Sequence, residues 1–354
     1  MNIINQIKHW WWSIDKWILF STFVLIFIGL LMMMSLEENN FLKKHLIFLP
    51  MGIAVILSSS MLKLRHLIIL SLILFALFLI LSTFPFFFSN EIKGANRWIK
   101  IFQFSIQPTE FLKPTFIIVS SLLFSRFQKK KDYSFNINLF IISILAIILL
   151  LQPDLGMFIL FFLTWFTQIL LIGLSLKVIF LIILLGLLVL IFSYFNLEHV
   201  KFRIDSFYDP NIGDNYQINK SLESFASGGF FGKGLGSGTI SSKLPDVHSD
   251  FIFALLGEEL GFFFLILVLS LYVFIFYRVL ISILKENNFF IFLSSAGLSL
   301  ILIYQFLINI MSTLNLVPTK GMTLPFLSYG GSSFISCSLI VGFILCLTKK
   351  RTEM

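Results

Sequence analysis

The stretch "LPDVHSDFIFALLGEELG", Leu244 to Gly261, sets the terms of this chain. An apolar helix begins at Phe251, directly after Asp246, His248 and Asp250, and carries Glu258 and Glu259 within it. At 1.5 Å per residue the two glutamates lie about 12 Å along that helix. A charge at the bilayer centre costs about 2.5–3.5 kcal/mol on insertion scales, so acids kept in such a segment must face protein or water. Asp250 sits where an N-cap belongs, and the helix dipole favours a negative charge there. A cap does not account for His248, Glu258 and Glu259. A carboxylate at a membrane–water boundary beside cations and a cleft is also a candidate general base.

Working outward, the whole chain is a membrane protein. Of 354 residues 58% are hydrophobic and 12% charged, and the mean hydropathy is +0.95. No soluble domain could hide that much apolar surface, and no hydrophilic stretch could form a separate core, so a single transmembrane domain over 1–354 is expected. The first apolar run, Trp17 to Leu36, is too long for a signal-peptide core and reads as a spanning helix. The fold class is an all-α polytopic bundle of ten spans: 17–36, 46–62, 66–88, 107–125, 136–151, 155–173, 176–196, 251–277, 289–312 and 329–348. Two of them, 46–62 and 136–151, are short. The only cysteines, Cys337 and Cys346, are nine residues apart on one span, about 13 Å by helical rise, too far to bridge. No metal-type spacing is evident.

The net charge of +8 reflects cations gathered in alternate short loops, among them Lys63, Arg65, Arg126, Lys129 to Lys131, Lys177, Arg278 and Lys349 to Arg351. By the positive-inside rule both termini are cytoplasmic. Lys43, Lys44, Lys93, Arg97 and Lys100 fall on the opposite side, where an anionic ligand would account for them. The outer side also holds the longest connection, 197–250, with "GGFFGKGLGSGT" in it. Its glycines, Gly234 and Gly236 included, read either as a flexible linker or as a cradle of N–H groups for phosphate.

Other polar candidates cluster at the same end. "GANRWIKIFQFSIQPTEFLKP" brings Arg97, Trp98, Gln107, Glu110 and Lys113 to the start of span four, where Glu110 and Lys113, three apart, can pair on one helix face. In "QPDLG" (152–156) Asp154 reads as the N-cap of span six. In "VPTKGMTLPFLSYGGSS" (317–333) the prolines at 318 and 325 break any helix, and Lys320 and Ser328 lie between or beside them. Lys320 is either a solvated loop lysine or a cation placed for a diphosphate. No nucleophile–His–acid triad and no metalloprotease signature is evident.

Six segments in order, "KGANRWI", "QPTEFLK", "QPDLG", "YQINKSLESFASGGFFGKGLG", "LPDVHSDFIFALLGEELG" and "PTKGMTLPFLSYGGSS", resemble the SEDS family of bacterial cell-wall proteins across residues 15–348. The "PTKGMTLP" form looks like the cell-division branch (FtsW) rather than the elongation branch (RodA). The resemblance implies a ten-helix peptidoglycan glycosyltransferase of the cytoplasmic membrane, at the division septum. It would polymerise lipid II, a disaccharide-pentapeptide on undecaprenyl pyrophosphate, beside a class B penicillin-binding protein and other divisome proteins. It implies Asp250 as the base, Lys320 as the important loop lysine, and Glu110 with Lys113 as the buried polar pair. Substrate contacts are then expected from Lys320, Arg97, Trp98, Gln107, Glu110, Lys113, His248, Gly234, Gly236 and Ser328. Transfer would invert the anomeric carbon, with the leaving diphosphate met by Lys320, Arg97 or a divalent cation, Mg or Mn. Two other classes compete: a lipid II flippase, which predicts polar residues along the full bilayer depth, and a non-catalytic divisome scaffold, in which Asp250 is dispensable.

Overall fold

The computed structural model describes residues 3–36, 39–88, 97–101, 104–209, 216–318 and 321–350. Helices α1 (Ile3–Ser13), α2 (Lys16–Ser35), α3 (Asn39–Ser60), α4 (Leu64–Leu81) and the single turn α5 (Pro85–Phe88) lead to a hairpin of β1 (Ile99–Ile101) and β2 (Phe104–Ile106). Then come α6 (Pro108–Lys130), α7 (Ser134–Leu151), α8 (Leu155–Ile172), α9 (Leu176–Asn196), α10 (Glu198–Tyr208) and α11 (Tyr216–Gly228). The chain closes with α12 (Ile252–Ile283), α13 (Phe289–Thr313) and α14 (Gly331–Thr348). Among the described residues nine helices are long and apolar enough to cross a membrane. The tenth expected span is α6, whose 23 residues would reach across but carry Glu110, Lys113, Arg126, Lys129 and Lys130. Glu110 and Lys113 pair with each other inside the bundle, where α6 packs against α4, α7, α8, α13 and α14, while Arg126, Lys129 and Lys130 are exposed at its C-terminal end.

The two spans expected to be short are full length. Helix α3 starts at Asn39, seven residues before the apolar run, because His45 is buried in the bundle and Lys44 turns toward a cavity rather than lipid. Hydropathy cannot distinguish a polar residue facing protein from one outside the membrane. Helices α6 and α14 are the most enclosed, whereas α9 lies at the rim. Close packing of α3 on α14 depends on small residues: a Cβ on Gly342 would meet Ser59, and one on Gly52 would meet Phe334 and Ser338. At the other end Asp15 caps α2 and pairs with Arg278 of α12 at 2.6 Å. Both cysteines are buried thiols.

The connection over 197–250 is not one loop. It folds as α10, α11 and a 3₁₀ turn at Ser241–Lys243. The glycine-rich segment that follows α11 enters a break in α12, where Gly261 has φ +81°. In an unbroken helix the N–H groups of 262 and 263 would donate to the carbonyls of 258 and 259. Here Phe262 N donates to Gly229 O (3.0 Å) and Phe263 N to Phe230 O (3.1 Å). The freed carbonyls of Glu258 and Glu259 accept from Lys233 N (3.0 Å) and Gly234 N (2.9 Å). The inserted segment thus satisfies backbone groups that lipid could not. The fit requires glycine: a Cβ on Gly228 would lie 2.0 Å from Gly257 O, and one on Gly232 2.2 Å from Glu259 O.

Candidate active site

Asp250 is held by its backbone. Asp246, at φ +56°, makes a turn whose carbonyl accepts from Ser249 N and Asp250 N, both at 3.0 Å. On the far wall Asn309 Nδ2 donates to Asp250 O (3.0 Å) and Met322 O (2.6 Å), and Tyr329 N donates to His248 O (2.8 Å). The Ser328 hydroxyl donates to Ser249 O and accepts from Leu324 N at 2.8 Å. The N-cap of α12 is Phe251, with no side-chain cap, so Asp250 does not hold the capping position expected for it. Gly321, at φ +58°, passes so close that a Cβ there would lie 3.1 Å from Asp250 Oδ2. Only glycine suits both that backbone and that approach.

Asp250 lines a cavity of about 470 Å³ at one end of the bundle. Three cations share it: Lys44 from α3, Arg97 ahead of the hairpin, and Arg203 from α10. Arg97 donates through Nε to Gln152 O (2.9 Å) and through Nη2 to Pro153 O, with Asp154 Oδ2 at 3.7 Å. Asp154 also caps α8 through Met157 N (3.2 Å), as expected, and accepts from Gln107 Nε2 (3.3 Å). Arg203 remains solvent-accessible. Its pKa is lowered by desolvation and by neighbouring Arg97, against the opposing pull of Asp154 and Asp250. Two guanidiniums brought together beside one cavity favour an anion between them. Trp98 and Tyr329 add aromatic surface, and His248 stacks on Phe41 with ring centroids 3.9 Å apart.

Below the cavity runs a chain of buried polar groups. Lys113 Nζ is 2.5 Å from Glu110 Oε2 and donates to Gln305 Oε1 at 2.7 Å. Gln305 Nε2 donates to Thr323 O (2.9 Å), and the Thr323 and Ser333 hydroxyls lie 2.7 Å apart. Glu110 and Gln305 reach the cavity wall. This links α6 and α13 to the backbone beside Gly321.

Asp250, Arg97, Trp98, Gln107, Glu110 and His248 therefore share one cavity, with Lys113 directly behind Glu110. Lys320 lies outside the described residues. Three candidates lie elsewhere. Ser328 is 3% exposed and joins two backbone segments. Gly234 commits its N–H to Glu259 O, and Gly236 lies toward Ser35. The glycine segment is thus neither a free linker nor a phosphate cradle at Gly234, because its N–H groups complete a broken helix. Sequence reasoning missed Arg203, Gln305 and Asn309. An arginine in a long loop and amides in an apolar helix carry no local signal. Lys44 had one, as a cation on the wrong side of the membrane. Among the described residues no three His, Cys, Asp or Glu side chains gather to hold a metal ion.

Most polar side chains are expected at one end, and a second buried set lies further along α6, α7 and α8. Gln168 accepts from Ser120 (2.8 Å) and donates to Ser121 (2.9 Å), while Asn138 donates to Ser120 O and accepts from Trp165 Nε1 (3.0 Å). All five are buried and bonded to one another. They join α6, α7 and α8 as interhelical glue rather than lining a path.

Residues 13–353 match the FtsW/RodA/SpoVE family, described as cell cycle proteins. The probable peptidoglycan glycosyltransferase FtsW of Caulobacter vibrioides is 33% identical over 355 residues, covering 97% of this chain and 91% of that protein. Its counterpart in Tolumonas auensis is 34% identical over 358 residues, 95% of this chain and 92% of that one. Among solved structures, the fold resembles a chain from work on coordinated polymerization and crosslinking by a peptidoglycan synthase complex. That match has a TM-score of 0.80 at 23% identity, over 95% of this chain and 97% of the other. The rod shape determining protein RodA of Thermus thermophilus matches with a TM-score of 0.71 at 23% identity, over 96% and 97% of the two chains. At such identities these structures bear on the fold alone.

Proposed function

The chain belongs to the FtsW/RodA/SpoVE family of cell cycle proteins, and from that premise we propose that it is a peptidoglycan glycosyltransferase polymerising lipid II at the outer face of the cytoplasmic membrane. The observation that carries the reading is the sharing of one cavity by the Asp250 carboxylate and the cations Lys44, Arg97 and Arg203. The acceptor sugar's 4-hydroxyl attacks the donor's anomeric carbon and gives its proton to Asp250. The bond from that carbon to the lipid diphosphate breaks, and the departing charge is met by Arg97, Arg203 and Lys44. Lys320, one residue before Gly321, adds a fourth cation in this reading. Attack opposite the leaving group inverts the centre. The names of the relatives support the activity.

A class B penicillin-binding protein as partner and action at the septum belong to the same reading. The relatives named FtsW and the family's description as cell cycle proteins support the septal role. The deciding experiment is polymerisation of purified lipid II, with and without the partner, comparing wild type and Asp250→Ala. Glycan strands from wild type, and a loss of about 10²- to 10⁴-fold in the folded variant, are expected. Equal product from both removes Asp250 from the chemistry. No product from wild type even with partner returns the scaffold and flippase readings.

A further inference from the structure

Glu258 lies outside the cavity lining, yet its carboxylate is heavily bonded. Its side chain is fully buried. It accepts from three consecutive backbone N–H groups, Thr239 (3.1 Å), Ile240 (3.2 Å) and Ser241 (2.7 Å), and from Lys233 Nζ at 2.7 Å. Successive N–H groups converging on one anion form a nest, here filled from within the chain. Its neighbour Glu259 lies beside the Ser35 side chain and the backbone of Gly236 and Gly238, so the segment is bound to α2 as well.

We infer that Glu258 is a positioning residue for the transfer reaction: its carboxylate pins the 239–241 turn and, through it, the short segment that carries Asp250. This rests on the glycosyltransferase reading of the cavity. From Ser241 the chain makes a 3₁₀ turn closed by Leu244 N to Ser241 O at 3.0 Å. It then buries Leu244 and Val247, turns at Asp246 and reaches Asp250. Asn309, Ser328 and the Tyr329 backbone hold that segment on one side. The Glu258 nest holds its start on the other. Glu258 itself stands on the helix that begins just after Asp250, so turn and helix are joined two turns below the reacting groups. A glutamine cannot substitute, because its amide would point donors at donors.

The test uses the full chain in lipid nanodiscs, with hydrogen exchange and lipid II kinetics on wild type, Glu258→Gln and Lys233→Met. For Glu258→Gln, amides of 239–250 should exchange at least about tenfold faster while those of α13 and α14 stay unchanged. Its kcat should fall roughly 10- to 100-fold with KM within about threefold, because the cavity cations are untouched. Lys233→Met keeps the nest and the carboxylate, and should loosen 239–241 and lower kcat about three- to tenfold. It decides the matter by itself if Glu258→Gln does not fold. Unchanged exchange at 239–250 overturns the proposal. So does a kcat within about twofold of wild type, or faster exchange spread equally over α13 and α14. A wild type without polymerase activity would sink the reading of the cavity, while the exchange measurement would still decide the latch.

Discussion

Arg203 and Arg97 occupy one cavity from distant parts of the chain, and a diphosphate between them would relieve their mutual repulsion further than Asp154 and Asp250 do. A charge-assisted bond to phosphate contributes about 1.5–3 kcal/mol. Arg203→Gln should therefore raise KM for lipid II by roughly 10- to 100-fold. Arg203→Lys should fall between, and a KM unmoved by either variant would place the diphosphate elsewhere. Lys113 presents the opposite case, because it is 0% exposed and neutralises Glu110. Lys113→Met leaves a buried carboxylate alone and should destabilise by about 3–5 kcal/mol. Adding Glu110→Gln should recover much of that, and thermal unfolding of the two single variants and the double in detergent measures the coupling. Additive losses would mean that the pair does not act as a unit. The i,i+3 spacing made this pair legible beforehand. Its continuation to Gln305 and Thr323 was not, since those residues lie on other segments.

Helix α12 depends on a partner segment to stay whole. Its break at Gly261 is completed by residues 229–234, and the glycines of that segment are of two kinds. Gly228 and Gly232 touch the backbone of α12, whereas Gly229, at φ +59°, has nothing within 4 Å of its missing Cβ. Gly228→Val and Gly232→Ala should each destabilise by about 1–3 kcal/mol through overpacking. Gly229→Ala should lose only the left-handed backbone preference, about 1 kcal/mol. Equal losses at Gly229 and Gly232 with none at Gly228, by chemical or thermal unfolding, would show that backbone conformation alone governs the segment. The string of glycines was plain in the sequence. Its reason was not, because the contacted carbonyls lie nearly thirty residues further along.

For the molecule as a whole, the cationic loops predict both termini in the cytoplasm, with the cavity outside. Tyr133 is 81% exposed between α6 and α7, and Tyr208 is 80% exposed at the end of α10. The native cysteines are buried, so single new cysteines report cleanly. A membrane-impermeant maleimide should label Tyr208→Cys in spheroplasts, but Tyr133→Cys only after permeabilisation. The reverse pattern would invert the topology and remove the cavity from the outer face. The sequence by itself determined the ten spans and their order, because lipid demands about twenty apolar residues per crossing and loop charge records the side. It also marked Asp250, Arg97 and the Glu110–Lys113 pair as costly charges awaiting a use. Only the tertiary structure decided that Lys44 and Arg203 join Asp250, that Ser328 is a backbone tie, and that the glycine segment completes a helix. Those outcomes depend on which distant segments meet, and a hydropathy pattern records only whether a residue avoids lipid, not what it turns toward.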